Sequence, residues 1–397
     1  MLNIADPNKK PGITILQLGF RPFFLGAASF SILAITLWMG IYVSGWELKL
    51  LNITPTLWHA HEMLFGYLLA VIAGFLLTAV KNWTGQQTLQ GPLLLLLFSV
   101  WAIARLMPVF NIGTISIMAI MDSLFIASLA IAIAIPIIKT RQWAQLGVLS
   151  ILILLLVANL VFYAGLLGLI NNGEISGLYS GLYLILALVF VMARRVIPFF
   201  IEMGVGNNIK LTNRHWLDLS SLILLIALWI TDILLTQPVV TTMIAGVLFI
   251  LHSIRLLDWH TRGIWQSPML WVLYLSYLFL TLGFALKALT PVLQIMPTLS
   301  IHAFVFGGIG VLTLGMMSRV SLGHTGRNVQ EPPAGLSVAF ILLLAGAVIR
   351  VILPLVLPAE YTLWVALSQL CWILAFGMFL VLFFPILVSP RIDGRPG

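Results

Sequence analysis

The sequence predicts an all-helical bundle of about twelve transmembrane helices with both termini on the cytoplasmic side. Of its 397 residues, 61% are hydrophobic and only 8% are charged, whereas soluble domains carry roughly 25% charged residues. Disordered and fibrous proteins need low hydrophobicity or a short repeat, and this chain has neither. Because hydrocarbon offers the backbone no hydrogen-bonding partner, apolar runs of this length are predicted to be helices.

The individual helices are predicted from the residues that interrupt the apolar sequence. Polar residues, Gly and Pro divide the chain into twelve stretches, each near the roughly 20 residues that span a bilayer. The predicted spans lie near 23–45, 58–80, 92–110, 112–138, 145–170, 175–200, 216–236, 238–257, 268–290, 297–317, 335–357 and 361–388. The longest loop, near 201–215, is too short for a soluble domain, so residues 1–397 are predicted to form one membrane-embedded domain.

Positive charge sets the predicted orientation of the bundle. Short cytoplasmic loops hold most of the Lys and Arg in membrane proteins. With the N-terminus inside, the loops on that side collect all but four of the 20 Lys and Arg residues, including Lys9, Lys10 and Arg395. The formal charge of +8 is therefore interpreted as a consequence of topology, and a nucleic-acid surface is excluded.

Histidines lie within the predicted membrane on the second and tenth helices. The second begins Trp-His-Ala-His-Glu-Met, which places His59, His61, Glu62 and Met63 near the depth of His302 on the tenth. At helical spacing His59 and His61 diverge, whereas His59, Glu62 and Met63 share a face. Imidazole binds haem iron and copper, and thioether suits Cu(I). The pattern indicates two neighbouring metal sites, one ligand with its partner, or histidines that are hydrogen-bonded without metal.

The second and tenth helices also resemble each other, through an internal repeat or by chance. Four residues of the second helix recur with the same spacing 241 positions later. The matched pairs are His61 and His302, Phe65 and Phe306, Gly66 and Gly307, and Gly74 and Gly315. The aromatic wall and the glycine groove that follow each histidine would suit a flat macrocycle held between two helices.

A second cluster lies at the cytoplasmic end of the tenth helix. Residues 318–327 read Ser-Arg-Val-Ser-Leu-Gly-His-Thr-Gly-Arg. Arg319, His324 and Arg327 together can bind an anion such as a phosphate or a haem propionate, because guanidinium presents a planar fork of donors. The alternative is a tight turn with positive-inside arginines. His252, near the end of the eighth helix, is either a ligand or a hydrogen-bonded helix histidine.

Charged residues inside the predicted helices are functional candidates because they are costly in hydrocarbon. Arg105 and Arg350 can pair with an acid, although snorkelling to the headgroups is favoured. Asp122 lies deeper and is expected to bond to a neighbouring helix or to relay protons. The chain lacks a P-loop, HExxH and CxxCH, so any haem must be held non-covalently.

Five segments make the chain resemble the NnrS family. They are GFRPFF (19–24), WHAHEMLFGY (58–67), AVIAGFLLTAVKNWTG (70–85), RRVIPFF (194–200) and HAFVFGGIGVLTLGMMSRVSLGHTGR (302–327). The resemblance implies a multi-pass protein of the bacterial inner membrane that carries haem b and copper and takes part in the response to nitric oxide. Through the matching motifs it implies metal positions at His59, His61, His302 and His324.

Other candidates join that set with less direct support. His252 and Met63 are further candidate metal ligands, and the candidate cofactor-binding residues are Arg319, Arg327, Arg21 and Glu62. The chain departs from the family at one place. Where LWVLHLGY is expected on the ninth helix, the chain reads LWVLYLSY, so Tyr274 stands in place of a histidine. If relatives use that histidine as a ligand, the tyrosine weakens or alters one metal site here.

Three functions stay open at this stage. The first is nitric oxide tolerance, by binding or turning over nitric oxide or by protecting metal centres, with an unspecified electron donor. The second is a respiratory oxidoreductase linked to nitric oxide or quinol, although the chain lacks the adjacent His-His pair of the haem-copper enzymes. The third is a secondary transporter of a small metabolite or metal, which twelve helices would suit.

Overall fold

The computed structural model describes residues 13–206 and 209–394, and it confirms the all-helical bundle. Twelve helices in this part of the chain are long and apolar enough to cross a membrane. They are α1 (Phe20–Ser44), α2 (Pro55–Thr84), α3 (Gly91–Phe110), α4 (Ile115–Lys139), α5 (Trp143–Leu166), α6 (Gly173–Val205), α7 (His215–Leu234), α8 (Pro238–Trp259), α9 (Pro268–Leu293), α10 (Pro297–His324), α11 (Leu336–Val356) and α12 (Pro358–Val388). Lys9, Lys10 and Arg395, used in the charge argument, lie outside the described residues.

The first and last helices meet at one face of the bundle. Arg21 of α1 donates hydrogen bonds to the carbonyls of Leu387 and Ser389 at the end of α12. We call this face the terminal face and the opposite one the far face. The assignment of the terminal face to the cytoplasm stays a prediction from charge.

Helices α2 and α10 share an irregular construction. Each begins with Pro at the far face, runs as α-helix to a histidine, widens into a π-helical segment and then returns to α-helix. The π segments are Glu62–Leu68 in α2 and Ala303–Gly310 in α10. Such segments are rare and frequently mark functional sites. The same irregularity therefore follows both histidines that the sequence comparison matched, His61 and His302.

These two helices form the centre of the bundle. Their most apolar stretches are 83% and 78% buried, the highest shares among the twelve described spans. Small residues allow this packing, since a Cβ on Gly307 would lie 2.3 Å from the ring of Phe279 on α9. The hydroxyl of Tyr67 on α2 lies 2.7 Å from Thr313 Oγ1 on α10 and links the two helices directly.

We expect Tyr67→Phe to lower the free energy of unfolding by about 1 kcal/mol, because single interhelical hydrogen bonds in membrane proteins contribute roughly that amount. Thr313 donates its own proton to the Gly310 carbonyl, so it keeps a partner in the variant. Denaturant unfolding of the purified proteins would measure the difference. Tyr42→Phe, at an exposed tyrosine of α1, is the matched control. Equal stability of both variants and the parent would show that this bond contributes nothing.

The contact between α5 and α6 brings two backbones together. A Cβ on Gly177 of α6 would lie 2.5 Å from the amide nitrogen of Phe162 and 2.6 Å from the carbonyl of Ala158 on α5. Gly173, one turn earlier, faces the carbonyl of Val161 in the same way. Small residues at such positions let transmembrane helices approach closely. The position of Asn159 and Tyr163 on α5 therefore depends on these glycines.

Candidate functional site

A network of buried polar side chains occupies the far-face half of the bundle. Arg105 of α3 donates to the carboxylates of Glu62 on α2 and Asp122 on α4, and Tyr163 of α5 donates to Asp122. All four side chains are at most 2% exposed. The expectation that Arg105 snorkels is wrong, because two carboxylates hold its guanidinium inside the bundle. The expected bonding of Asp122 to neighbouring helices is confirmed.

His61 belongs to the same network. Its Nε2 lies 2.9 Å from Asn159 Oδ1, and its Nδ1 lies 3.3 Å from Glu62 Oε1. Phe162 and Phe65 stack on its ring at centroid distances of 4.3 and 5.1 Å. Both ring nitrogens are therefore engaged, and two phenyl rings stack on the imidazole. This is the hydrogen-bonded alternative for His61, and a metal ion would have to displace one of these partners. We call these six residues the buried acid network: His61, Glu62, Arg105, Asp122, Asn159 and Tyr163.

Glu62 begins the π segment and bonds to His61 and Arg105. The common helix face predicted for His59, Glu62 and Met63 stays a prediction. Met63 is half-buried and packs against the core.

Two other predicted histidines, His59 and His302, lie near Arg350 at the far face. His59 and His302 are near enough for their charges to interact, and both interact with the charge of Arg350 on α11. The Nδ1 of His302 donates to the Thr298 carbonyl at 2.7 Å, so in the neutral ring the Nε2 carries the lone pair. Arg350 Nη2 lies 3.4 Å from that Nε2. We call His59, His302 and Arg350 the histidine site.

Two aromatic side chains border the histidine site. The ring of His59 is stacked on Trp38 of α1 with a centroid distance of 4.7 Å and an interplanar angle of 6°. The guanidinium of Arg350 lies over the ring of Tyr361 on α12 at 5.3 Å. Neither Trp38 nor Tyr361 was identified from the sequence, because nothing in an apolar run marks which aromatic side chain faces a histidine.

Charge balance distinguishes the histidine site from the buried acid network. In the repeat, the position equivalent to Glu62 is Ala303, so α10 offers Arg350 no carboxylate. Arg350 Nη1 and His59 Nδ1 are buried and have no hydrogen-bond partner among the described residues. Buried polar atoms are normally paired because desolvation is costly. The histidine site therefore has unused hydrogen-bonding capacity for a ligand and an arginine without a carboxylate from α10, whereas in the network two carboxylates balance Arg105 and only Arg105 Nε and Asn159 Nδ2 lack partners among the described residues.

His252 forms a third, separate environment inside α8. Its Nδ1 lies 2.6 Å from the hydroxyl of Tyr277, and its ring is stacked by Phe190 at 4.3 Å and by Phe284 at 5.2 Å. The hydrogen-bonded alternative is thus confirmed for Nδ1. Its Nε2 is buried and lacks a partner among the described residues, so His252 keeps one nitrogen available for a ligand.

The cytoplasmic cluster predicted at residues 318–327 is divided by the structure. The guanidinium of Arg319 lies over the ring of Phe200 at 3.7 Å and donates to the Met269 carbonyl. Arg327 instead lies near enough to Arg21 for the two positive charges to repel each other. His324 ends α10, with its ring 5.8 Å from Phe20. Arg327, Arg21 and His324 therefore share one end of the bundle, and Arg319 has its own apolar contacts.

Metal binding at these sites would use few ligands. The described residues contain no group of three or more His, Cys, Asp or Glu side chains placed to hold a metal ion. If a haem were bound here, His59 and His302 would be the imidazoles available to hold it. Tyr274, at the position where the family's histidine was expected, donates to the carbonyl of Leu256 at 3.1 Å.

The fold and these sites define a polytopic membrane protein whose histidines and buried charges gather on interrupted central helices. The chain belongs to the NnrS family. The profile of that family, described as NnrS protein, matches residues 14–391. The comparison with curated proteins finds no match. The family profile therefore covers all the helices and sites described above.

Proposed function

We propose that this protein binds haem b and copper in the bacterial inner membrane and contributes to nitric oxide tolerance. It would do so by binding or turning over nitric oxide, or by protecting metal centres from it. The proposed role in nitric oxide tolerance comes from the family, because the resemblance implies a part in the nitric oxide response. The observation that carries the proposal is the meeting of His59 and His302 beside Arg350, with buried nitrogen atoms that lack partners.

The histidine site fits the donor requirements of such a cofactor. Two imidazoles from different helices suit haem iron or copper. The Nε2 of His302 carries the lone pair and lies 3.4 Å from Arg350 Nη2, so a metal bound there would take the place of that contact. Haem iron, when bound, would supply the centre that takes nitric oxide. Trp38 provides a flat aromatic wall beside His59, and Arg350 provides a cation for a carboxylate of the cofactor.

An apolar cleft supports access for a small uncharged molecule. It has a volume of about 90 Å³ between α2, α6 and α10, and Leu68, Met192 and Thr313 are among its lining residues. Apart from the threonine, the lining is entirely apolar. Nitric oxide is small and uncharged and would enter such a cleft without losing hydrogen bonds. The cleft offers no imidazole, so it suits uptake of the gas from the bilayer, and the metal is assigned to the histidine site.

The proposal predicts that the double variant His59→Ala/His302→Ala loses the metal centre. We expect its Soret band and copper content to fall by about tenfold or more, because even indirect partners of a metal ligand change affinity by that factor. The measurement is an ultraviolet-visible spectrum of reduced, detergent-purified protein before and after nitric oxide, with metal analysis. His260→Ala, at an exposed histidine outside the spans, is the matched control and should retain both signals.

Two other results would contradict this assignment. A band that survives in the double variant but disappears in His252→Ala would move the ligand to α8, where Nε2 is available. A colourless, metal-free parent protein would contradict the metal proposal as a whole. It would favour the transporter alternative, for which the paired interruptions of α2 and α10 are the supporting observation.

A further inference from the structure

Arg21 is a fully buried cation with unused donors at the terminal face. Its side chain is 0% exposed, and Nη1 donates to the carbonyls of Leu387 and Ser389 at 2.7 and 2.8 Å. Its Nε and Nη2 are buried and have no hydrogen-bond partner among the described residues. Carbonyl groups accept hydrogen bonds from a guanidinium but do not neutralise its charge. Arg21 therefore keeps a positive charge and two donor nitrogens that could bind an anionic acceptor.

Two further arginines lie at the same end of the bundle as Arg21. Arg327 follows α10 and Arg391 follows α12, two residues after the Ser389 carbonyl that Arg21 contacts, and both are near enough for their charges to act on Arg21. Arg391 Nη1 donates to the carbonyl of His324 at 2.9 Å, which ties the end of α10 to the end of α12. Arg327 Nη1 is buried and lacks a partner among the described residues. Three guanidinium groups thus converge where like charges repel one another.

The neighbouring groups leave this convergence positive. Asp393 bonds to Arg391 through Nε at 2.8 Å and Nη2 at 2.6 Å, so one carboxylate is already committed to that arginine. Lys81, at the end of α2, adds another cation whose charge interacts with Arg391. The imidazole of His324 lies near enough to Arg391 and Lys81 to interact with both of their charges. We call Arg21, Arg327, Arg391, Lys81 and His324 the arginine cluster.

We propose that the arginine cluster binds a phosphate group. Three buried guanidinium nitrogens, two on Arg21 and one on Arg327, point to an acceptor with several oxygens and negative charge. Arginine is the residue suited to this task because its planar fork matches phosphate oxygens. The cluster lies where α1 begins and where α10 and α12 end, so the phosphate could belong to the headgroup of an anionic lipid or be free in solution. This proposal does not depend on metal binding or on nitric oxide.

The test uses the full chain, purified in an uncharged detergent and stripped of lipid. The thermal unfolding midpoint is titrated with dioctanoyl phosphatidylglycerol and, separately, with inorganic phosphate at matched ionic strength. A ligand that binds only the folded state raises this midpoint in a saturable way. We expect Arg327→Gln to weaken the apparent affinity by about tenfold or more, as loss of a charge-assisted bond implies. Arg262→Gln, at an exposed arginine of the same face, is the matched control and should bind normally.

The possible outcomes distinguish a lipid headgroup from free phosphate, and both of these from failure of the proposal. Saturation with the lipid alone identifies a headgroup, and saturation with inorganic phosphate identifies a free anion. If Arg327→Gln does not fold, Arg327→Lys, which keeps the charge but loses the fork, takes its place and should weaken binding. The proposal is overturned if neither probe shifts the parent's midpoint, or if the variant responds as the parent does.

Discussion

Arg105→Leu is expected to lower the free energy of unfolding by about 3–5 kcal/mol, since removing one partner of a buried ion pair leaves the other charge uncompensated. The variant would leave Glu62 and Asp122 as two carboxylates inside the bundle, with 0% and 2% exposure. Tyr163 and His61 would still contact them, but they cannot replace the guanidinium. Denaturant unfolding in micelles, with the monodisperse yield on size exclusion, measures the loss.

A compensating variant tests the physical reason for this loss. Adding Glu62→Gln and Asp122→Asn to Arg105→Leu removes the stranded charges, so part of the stability should return. Arg319→Leu is the matched control, because this half-buried arginine has no carboxylate bonded to it among the described contacts. If the single Arg105 variant lost less than about 1 kcal/mol, the range of an exposed pair, the buried network would be contradicted.

Gly177→Ala is the second large effect that we expect, with a loss of at least about 2 kcal/mol through overpacking. The added Cβ would meet the amide nitrogen of Phe162 at 2.5 Å, and a backbone atom cannot rotate away as a side chain can. The helices α5 and α6 must therefore separate. That shift would also move Asn159 and Tyr163 away from the buried acid network. The same unfolding measurement applies.

Gly377→Ala is the matched control for this prediction. Gly377 also lies inside a spanning helix, but a Cβ there would meet nothing within 4 Å. Its replacement should be neutral or should stabilise by up to about 1 kcal/mol, because alanine restricts the unfolded chain and favours the helix. Equal losses from both variants would mean that helix propensity, and no backbone contact, governs these positions.

The sequence predicted the number and order of the helices because hydropathy records burial in lipid directly. It could not predict the π segments, since hydropathy does not register which carbonyl each amide bonds. The segment that begins at Glu62, directly after His61, is an example. Interruptions of this kind become visible only when the backbone hydrogen bonds are known.

The candidate sites were predicted unevenly. His59 and His302 were expected at similar depth, and the structure brings them together beside Arg350. Asn159 and Tyr163 were missed, although Asn159 is a lone amide in the apolar run of α5 and offered a signal. A single polar residue on a helix does not identify its partner, because the partner belongs to another helix whose rotation the sequence leaves undetermined.

The matching π segments bear on how the two central helices are related. Both helices cross the bundle in the same direction, and both place a histidine directly before the interruption. This pattern is the one expected of an internal repeat. The segment around His61 has a neighbouring carboxylate that bonds to Arg105, while the segment around His302 has Ala303 at the equivalent position. Two helices of the same construction thus differ in whether an acid follows the histidine.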